Sequence, residues 1–181
     1  DELEKLRDDA RRIEEKHRRT VEKDKDVVRR MDKEVKDHVR RLKELAKKLE
    51  DDVRKRGDEK VIKELEEKLK RIHEESEKTK RKLKEDADRL EEDNERVKKE
   101  SEDKLRELRE RARKVKEDGI DKRSVDEVLR EITEIVERVM ELNDKSVEET
   151  RRIVERLKEE IDTVNDEIAK IVRKVIEEIK R

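Results

Sequence analysis

Proline, cysteine, glutamine, phenylalanine, tyrosine and tryptophan do not occur in this chain of 181 residues. Without cysteine there is no disulfide framework, no thiolate nucleophile and no cysteine-based zinc site, and the redox compartment stays unread. No apolar run approaches the roughly 18 residues of a membrane span. Asp1-Glu2-Leu3 does not read as the start of a secretion signal, so a soluble chain without a targeting segment is expected. Apolar residues are scarce as well, at 28%, against roughly 45–50% in a typical globular domain. Such scarcity alone would suggest disorder.

Charge and periodicity argue the other way. Charged residues make up 62% of the chain, yet acids and bases cancel to a net charge of -1. That balance removes the simple electrostatic case for nucleic acid. The few apolar residues recur at helical spacing, the signature of long helices or coiled coils, which bury only a narrow stripe each.

Glycine occurs only at Gly57 and Gly119, and the two divide the chain into near-equal thirds. Arg54-Lys55-Arg56 precede Gly57, placing cations at the negative end of a helix, and Asp58 suits the next cap. Around Gly119, Val115 and Ile120 suit the hydrophobic contact of a Schellman turn. Ser124-Val125-Asp126-Glu127 reads as a capping box opening the third helix. The expectation is one domain over 1–181: helix 1 about 2–56, a turn at Gly57, helix 2 about 59–117, a turn over 118–124, and helix 3 about 125–180. Each helix then spans roughly 80–90 Å. Short turns make successive helices antiparallel neighbours, so the fold class is all-α: a long, coiled-coil-like, up-down-up three-helix bundle.

Stepping residues by 100° gives each helix an apolar arc. Helix 1 presents Leu3, Leu6, Ala10, Ile13, Val28, Met31, Val35, Leu42, Leu49 and Val53. Helix 2 presents Ile62, Leu65, Leu69, Ile72, Leu83, Leu90, Val97, Leu108 and Ala112. Helix 3 has the broadest arc, with Val128, Ile132, Ile135, Val139, Leu142, Ile153, Leu157, Ile161, Val164, Ile168, Ile171 and Val175. Its apolar positions combine into 11- and 18-residue recurrences, a period near 3.6 that predicts nearly straight helices.

Uncharged polar residues interrupt these arcs. The turns predict that residues facing each other across helices 1 and 2 have numbers adding to about 115, and across helices 2 and 3 to about 242. His17 and Thr20 then fall level with Asn94, Ser101, Asn143 and Ser146. His38 falls level with His73, Ser76, Thr79 and Asn165. Asp24 and Thr150 lie between the two groups, nearer the first. Buried polar groups cost about 1–3 kcal/mol when unpaired, so such layers penalise a wrong register.

Glu14 and His17 share the Glu-x-x-His spacing of di-iron bundles, but the motif occurs once and Glu14 is turned off the stripe, so no metal is expected. Buried neutral histidines at His17 and His38 offer a pH response as an alternative. The run Lys78-Thr79-Lys80-Arg81-Lys82 is flanked by acids and has no aromatic platform, so it reads as a solvated face. No pocket with nucleophile, base and orienter is foreseen, and neither an enzyme nor a cofactor or small-molecule substrate is expected.

The equal idealised helices, Glu/Lys/Arg surfaces, the minimal turn Asp118-Gly119-Ile120-Asp121 and the Asn/Ser/Thr/His layers resemble de novo designed helical bundles with buried hydrogen-bond networks. The resemblance covers the whole chain and implies a structural scaffold without natural activity, related designs often being homo-oligomers. Asp24 and the thin stripes of helices 1 and 2 depart from that style. A natural spectrin-like spacer is the alternative, although natural three-helix repeats usually retain buried aromatics. A flank of helix 3 (Leu129, Val136, Met140, Val147, Val154, Val172 and Ile176) would serve self-association, with a homotrimer as the assembly favoured by Ile and Val. Both polar groups close within one chain, which favours a monomer.

Overall fold

A computed structural model describes residues 2–56, 59–119 and 121–181. Three helices carry almost all of them: α1 (Glu2–Arg56), α2 (Glu59–Glu117) and α3 (Lys122–Lys180). Leu, Glu, Lys and Arg are strong helix formers. Arg54, Lys55 and Arg56 fill the last turn of α1, where cations meet the negative end of the helix dipole. Gly57 and Asp58, read as the first turn, lie outside the described residues, as does Ile120.

The second turn is built around a backbone that only glycine adopts easily. Gly119 has φ +88°, and its N–H donates to the carbonyl of Lys116 at 3.4 Å. That bond is one of the pair defining a Schellman ending. Helix α3 then starts earlier than the expected position near 125. Its cap is Asp121, whose carbonyl takes the first helical bond from Val125 N at 3.2 Å. Asp121 Oδ1 accepts Arg123 N at 3.3 Å, and Ser124 Oγ donates to Asp121 Oδ2 at 3.3 Å. The capping box placed at Ser124 is therefore corrected: Ser124 is the third helical residue and supports the cap. Both residues suit a cap, and the earlier one wins because it extends the helix while its carboxylate faces the positive helix end.

Contacts gather in two compact units, each drawing on all three helices. The first unit comprises Asp1–Val27 and Asp88–Thr150, the second Val28–Ala87 and Arg151–Arg181. The core of the first is Leu3, Leu6 and Ala10 on α1, Leu105, Leu108, Ala112 and Val115 on α2, and Val125 to Val139 on α3. The core of the second joins Leu42, Ala46, Leu49 and Val53 to Val61, Leu65 and Ile72, and to Val164, Ile168, Val172 and Val175.

Cross-helix pairs fix the register within each unit. In the first, Lys98–Asp144, Arg109–Thr133 and Lys116–Asp126 join α2 to α3, and the residue numbers of each pair add to 242. In the second, Lys80–Asp162 gives the same total. Helices α1 and α2 meet in the second unit through His38–Ser76, Arg41–Glu75 and Glu34–Lys82, with totals of 114 to 116. The turn positions in the sequence predict totals of about 115 and about 242. Helix α3 runs parallel to α1 at an offset of 124, through Arg7–Glu131 and Glu14–Arg138 in the first unit and Asp32–Arg156 in the second.

Buried positions recur every 18 residues along each helix: His17, Val35 and Val53; Ser76, Asn94 and Ala112; Asn143 and Ile161. Eighteen residues make five turns of an ideal helix, so these columns keep one heading. Polar groups thus occupy wheel positions held elsewhere by aliphatic ones. One exchange separates the units. Ile135 is buried beside half-buried Val136 in the first, whereas Val154 and Val172 are buried beside half-buried Ile153 and Ile171 in the second. The expectation that Val154 and Val172 form an outer flank is corrected. Both columns of the broad α3 face are apolar, so packing against the neighbours, not hydrophobicity, selects which turns inward.

Candidate functional site: the buried polar layers

The second unit holds a polar chain across all three helices. His38 on α1 is 5% exposed and Ser76 on α2 is fully buried. Ser76 Oγ donates to Asn165 Oδ1 on α3 at 2.8 Å and lies 3.3 Å from His38 Nε2. With the serine proton committed to Asn165, its oxygen is free to accept from a protonated Nε2. His38 Nδ1 is then the acceptor for Arg41 Nη2 at 3.2 Å. Arg41 also pairs with Glu75. The arrangement assigns a neutral Nε2–H tautomer and leaves each ring nitrogen with a partner.

Burial lowers the His38 pKa most; Glu75 acts to raise it and Arg41 to lower it further. Above the ring lies an open groove lined by Glu34, Arg41, Glu75, Lys78 and Lys82 among others. Arg41 and Glu75 join the layer although neither is an uncharged polar residue on the stripe. Their signal in the sequence is spacing, since Arg41 lies one turn after His38 and Glu75 adjoins Ser76.

Three residues assigned to polar layers take no part across helices. His73 is exposed. Thr79 is half-buried and donates to the carbonyl of Glu75 on its own helix at 3.0 Å. Thr20 does the same with Lys16 at 3.1 Å. A threonine hydroxyl at a stripe margin finds its own backbone four residues back more readily than a partner across the seam.

The first unit buries more polar groups and pairs fewer of them. His17, Asp24, Asn94, Ser101, Asn143, Ser146 and Thr150 are all buried there, none more than 8% exposed. Asp24 accepts a hydrogen bond from the Asn94 side chain. Among the described residues, both ring nitrogens of His17, both amide atoms of Asn143, Asp24 Oδ2 and Asn94 Oδ1 have no hydrogen-bond partner. Arg7 Nε shares that condition but lies 2.7 Å from Glu131 Oε2, within ion-pair range. Burial lowers the His17 pKa. Asp24 is pushed up to about 6, chiefly by burial, with Asp93 adding repulsion and the Asn94 bond acting against both.

Glu14, the possible companion of His17 in a metal motif, is engaged elsewhere. It receives Arg138 Nε at 2.9 Å and lies 3.2 Å from Arg18. Among the described residues no group of three or more His, Cys, Asp or Glu side chains is placed to hold a metal ion. No described helix is long and apolar enough to cross a membrane. Of the flank considered for self-association, Val154 and Val172 are buried, Leu129, Val136, Val147 and Ile176 are half-buried, and Met140 is exposed at 36%.

No protein-family model and no curated protein matches the chain. Among solved structures, a computationally designed three-helix bundle is similar over 98% of this chain and 90% of its own, with a TM-score of 0.61 and 23% identity. The shared property is the fold, and the chain is a three-helix bundle.

Proposed function

We propose that this chain is a designed structural scaffold whose buried polar layers set helix register and pairing, without enzymatic activity. The observation carrying this reading is the His38–Ser76–Asn165 chain, which links α1, α2 and α3 at one level. A shift of any helix by one residue rotates its side chain by about 100° and breaks the chain at a cost of about 1–3 kcal/mol per buried group left unpaired. The idealised surface and the designed neighbour of the same fold support the scaffold reading. Met140 is the one exposed large hydrophobic among the described residues. A monomer is accordingly favoured over a homotrimer, and over a natural spacer acting through the α3 flank.

Replacing the layer wholesale tests the role. The triple variant His38→Leu, Ser76→Ala, Asn165→Leu is expected to keep or raise resistance to denaturant while losing uniqueness. Broadened amide spectra and mixed masses in light scattering would show that loss. A single monomeric species with a native-like spectrum would sink the register role.

The second reading is a pH-responsive bundle through His17 and His38, favoured by the burial that lowers both pKa values. Acidification then charges rings that the fold holds neutral, so the fold loosens.

A further inference from the structure

We propose that Asp24 and Asn94 form a proton-binding pair, in which one proton taken up on Asp24 Oδ2 closes a two-bond carboxylic acid–amide ring and tightens the first unit in mild acid. The half of this ring that needs no proton is present. The Asn94 amide group donates to Asp24, and a carboxylate accepts only. The remaining oxygens, Asp24 Oδ2 and Asn94 Oδ1, are buried and unpartnered. Two acceptors cannot bond to each other. One proton converts the carboxylate oxygen into a donor for the amide oxygen, which satisfies both atoms at once. No other atom has to be supplied: solvent gives the proton, and no covalent bond other than the new O–H forms.

The surroundings favour the neutral acid. Asp24 is 6% exposed and Asn94 is 2% exposed, so an uncompensated carboxylate is held in a poor solvent for charge. From α2 the charge acting on Asp24 is Asp93, itself paired with Arg96 at 3.0 Å. On α1 the other buried titratable group of this unit is His17, two turns away. The α3 register of 124 brings Glu148 level with Asp24, on the exposed side, while buried Thr150 contributes a neutral hydroxyl. On α2 half-buried Glu91 falls level with Asp24, and half-buried Lys98, one turn after Asn94, is drawn to Asp144 at 3.6 Å, so no fully buried cation stands beside the pair among these groups. The sign of this device is opposite to that of a buried neutral histidine, which loosens its surroundings when protonated.

Carbon and nitrogen NMR on the intact labelled chain tests the pair from about pH 8 to about pH 4. The expected result is that Asp24 Cγ titrates with a midpoint of about 6, and that Asn94 Cγ moves at the same midpoint as its oxygen begins to accept. A titration of Asp24 near 3.8 overturns the proposal, as does an Asn94 Cγ that stays flat while Asp24 titrates. The variant Asp24→Asn gives a second readout, because its amide donates to Asn94 Oδ1 at every pH. It should unfold at higher denaturant than the native chain at about pH 7.5, with the gap closing by about pH 5. A variant no more resistant than the native chain at the higher pH also overturns the pair.

Discussion

The two units bury the same kinds of polar side chain with opposite outcomes. In the second, His38, Ser76 and Asn165 complete one another across three helices. In the first, His17 and Asn143 lie at 1% exposure with none of their side-chain nitrogens or oxygens hydrogen-bonded. A polar residue at a core position is therefore not in itself a stabilising or a specifying element. What decides is whether its atoms find partners at the distances the backbones impose. A satisfied layer holds the fold together, whereas an unsatisfied one costs stability at the same wheel positions.

The largest effect expected from a single change is in the aliphatic cores. Leu105→Ala in the first unit and Leu42→Ala in the second should each cost about 2–5 kcal/mol, read by denaturant unfolding. Amide exchange should quicken most in the unit that carries the change. Equal quickening throughout would show that the division by contacts has no counterpart in local stability.

Next in size is a contrast of sign. Ser76→Ala removes the centre of the satisfied chain and should cost about 1–3 kcal/mol. Asn143→Leu removes two unpartnered polar atoms and should leave stability unchanged or raise it. If both variants lose stability alike, the units do not differ as described.

The response to acid sharpens the comparison further. His38 has a folded pKa below its ordinary 6.5, so it contributes stability that is present above 6.5 and lost as pH falls through the folded value. His17 does the same in the first unit. Asp24 acts in reverse: raised from 3.8 to about 6, it contributes stability present below 3.8 and lost as pH rises through about 6. Going from about pH 7.5 to about pH 5, amide protection should fall more around His38 than around His17, where the two groups offset each other. Equal loss in both places would remove the distinction.

The smallest effects belong to the ends and the surface. Asp121→Ala should cost about 0.5–2 kcal/mol through the lost cap. Arg138→Ala removes an exposed arginine from Glu14, which keeps its pair with Arg18, and should change stability by about 1 kcal/mol or less.

Much of this architecture is legible in the chain itself. Gly119 marks a real turn, and its position fixes the α2–α3 total of 242 seen in Lys80–Asp162 and Lys98–Asp144. Regular helices carry that register onward without further information. What the periodicity does not resolve is finer than a wheel position. It could not choose between Ile153 and Val154, because both columns are apolar, nor between Asp121 and Ser124, because both are good caps. Nor does it tell a completed layer from an incomplete one. His17 and His38 both lie on the inward stripe of α1, yet only His38 has ring partners, in Ser76 and Arg41, and whether such side chains come within bonding distance is not encoded in spacing along the sequence.

The eighteen-residue recurrence makes length an adjustable quantity of this protein. Inserting the same eighteen residues' worth of helix into α1, α2 and α3 at one level adds about 27 Å to each and returns every face to its original heading. An insertion of about nine residues, two and a half turns, brings the charged surface inward instead. A satisfied layer such as that of His38 could thus be repeated along the chain as a stamped motif.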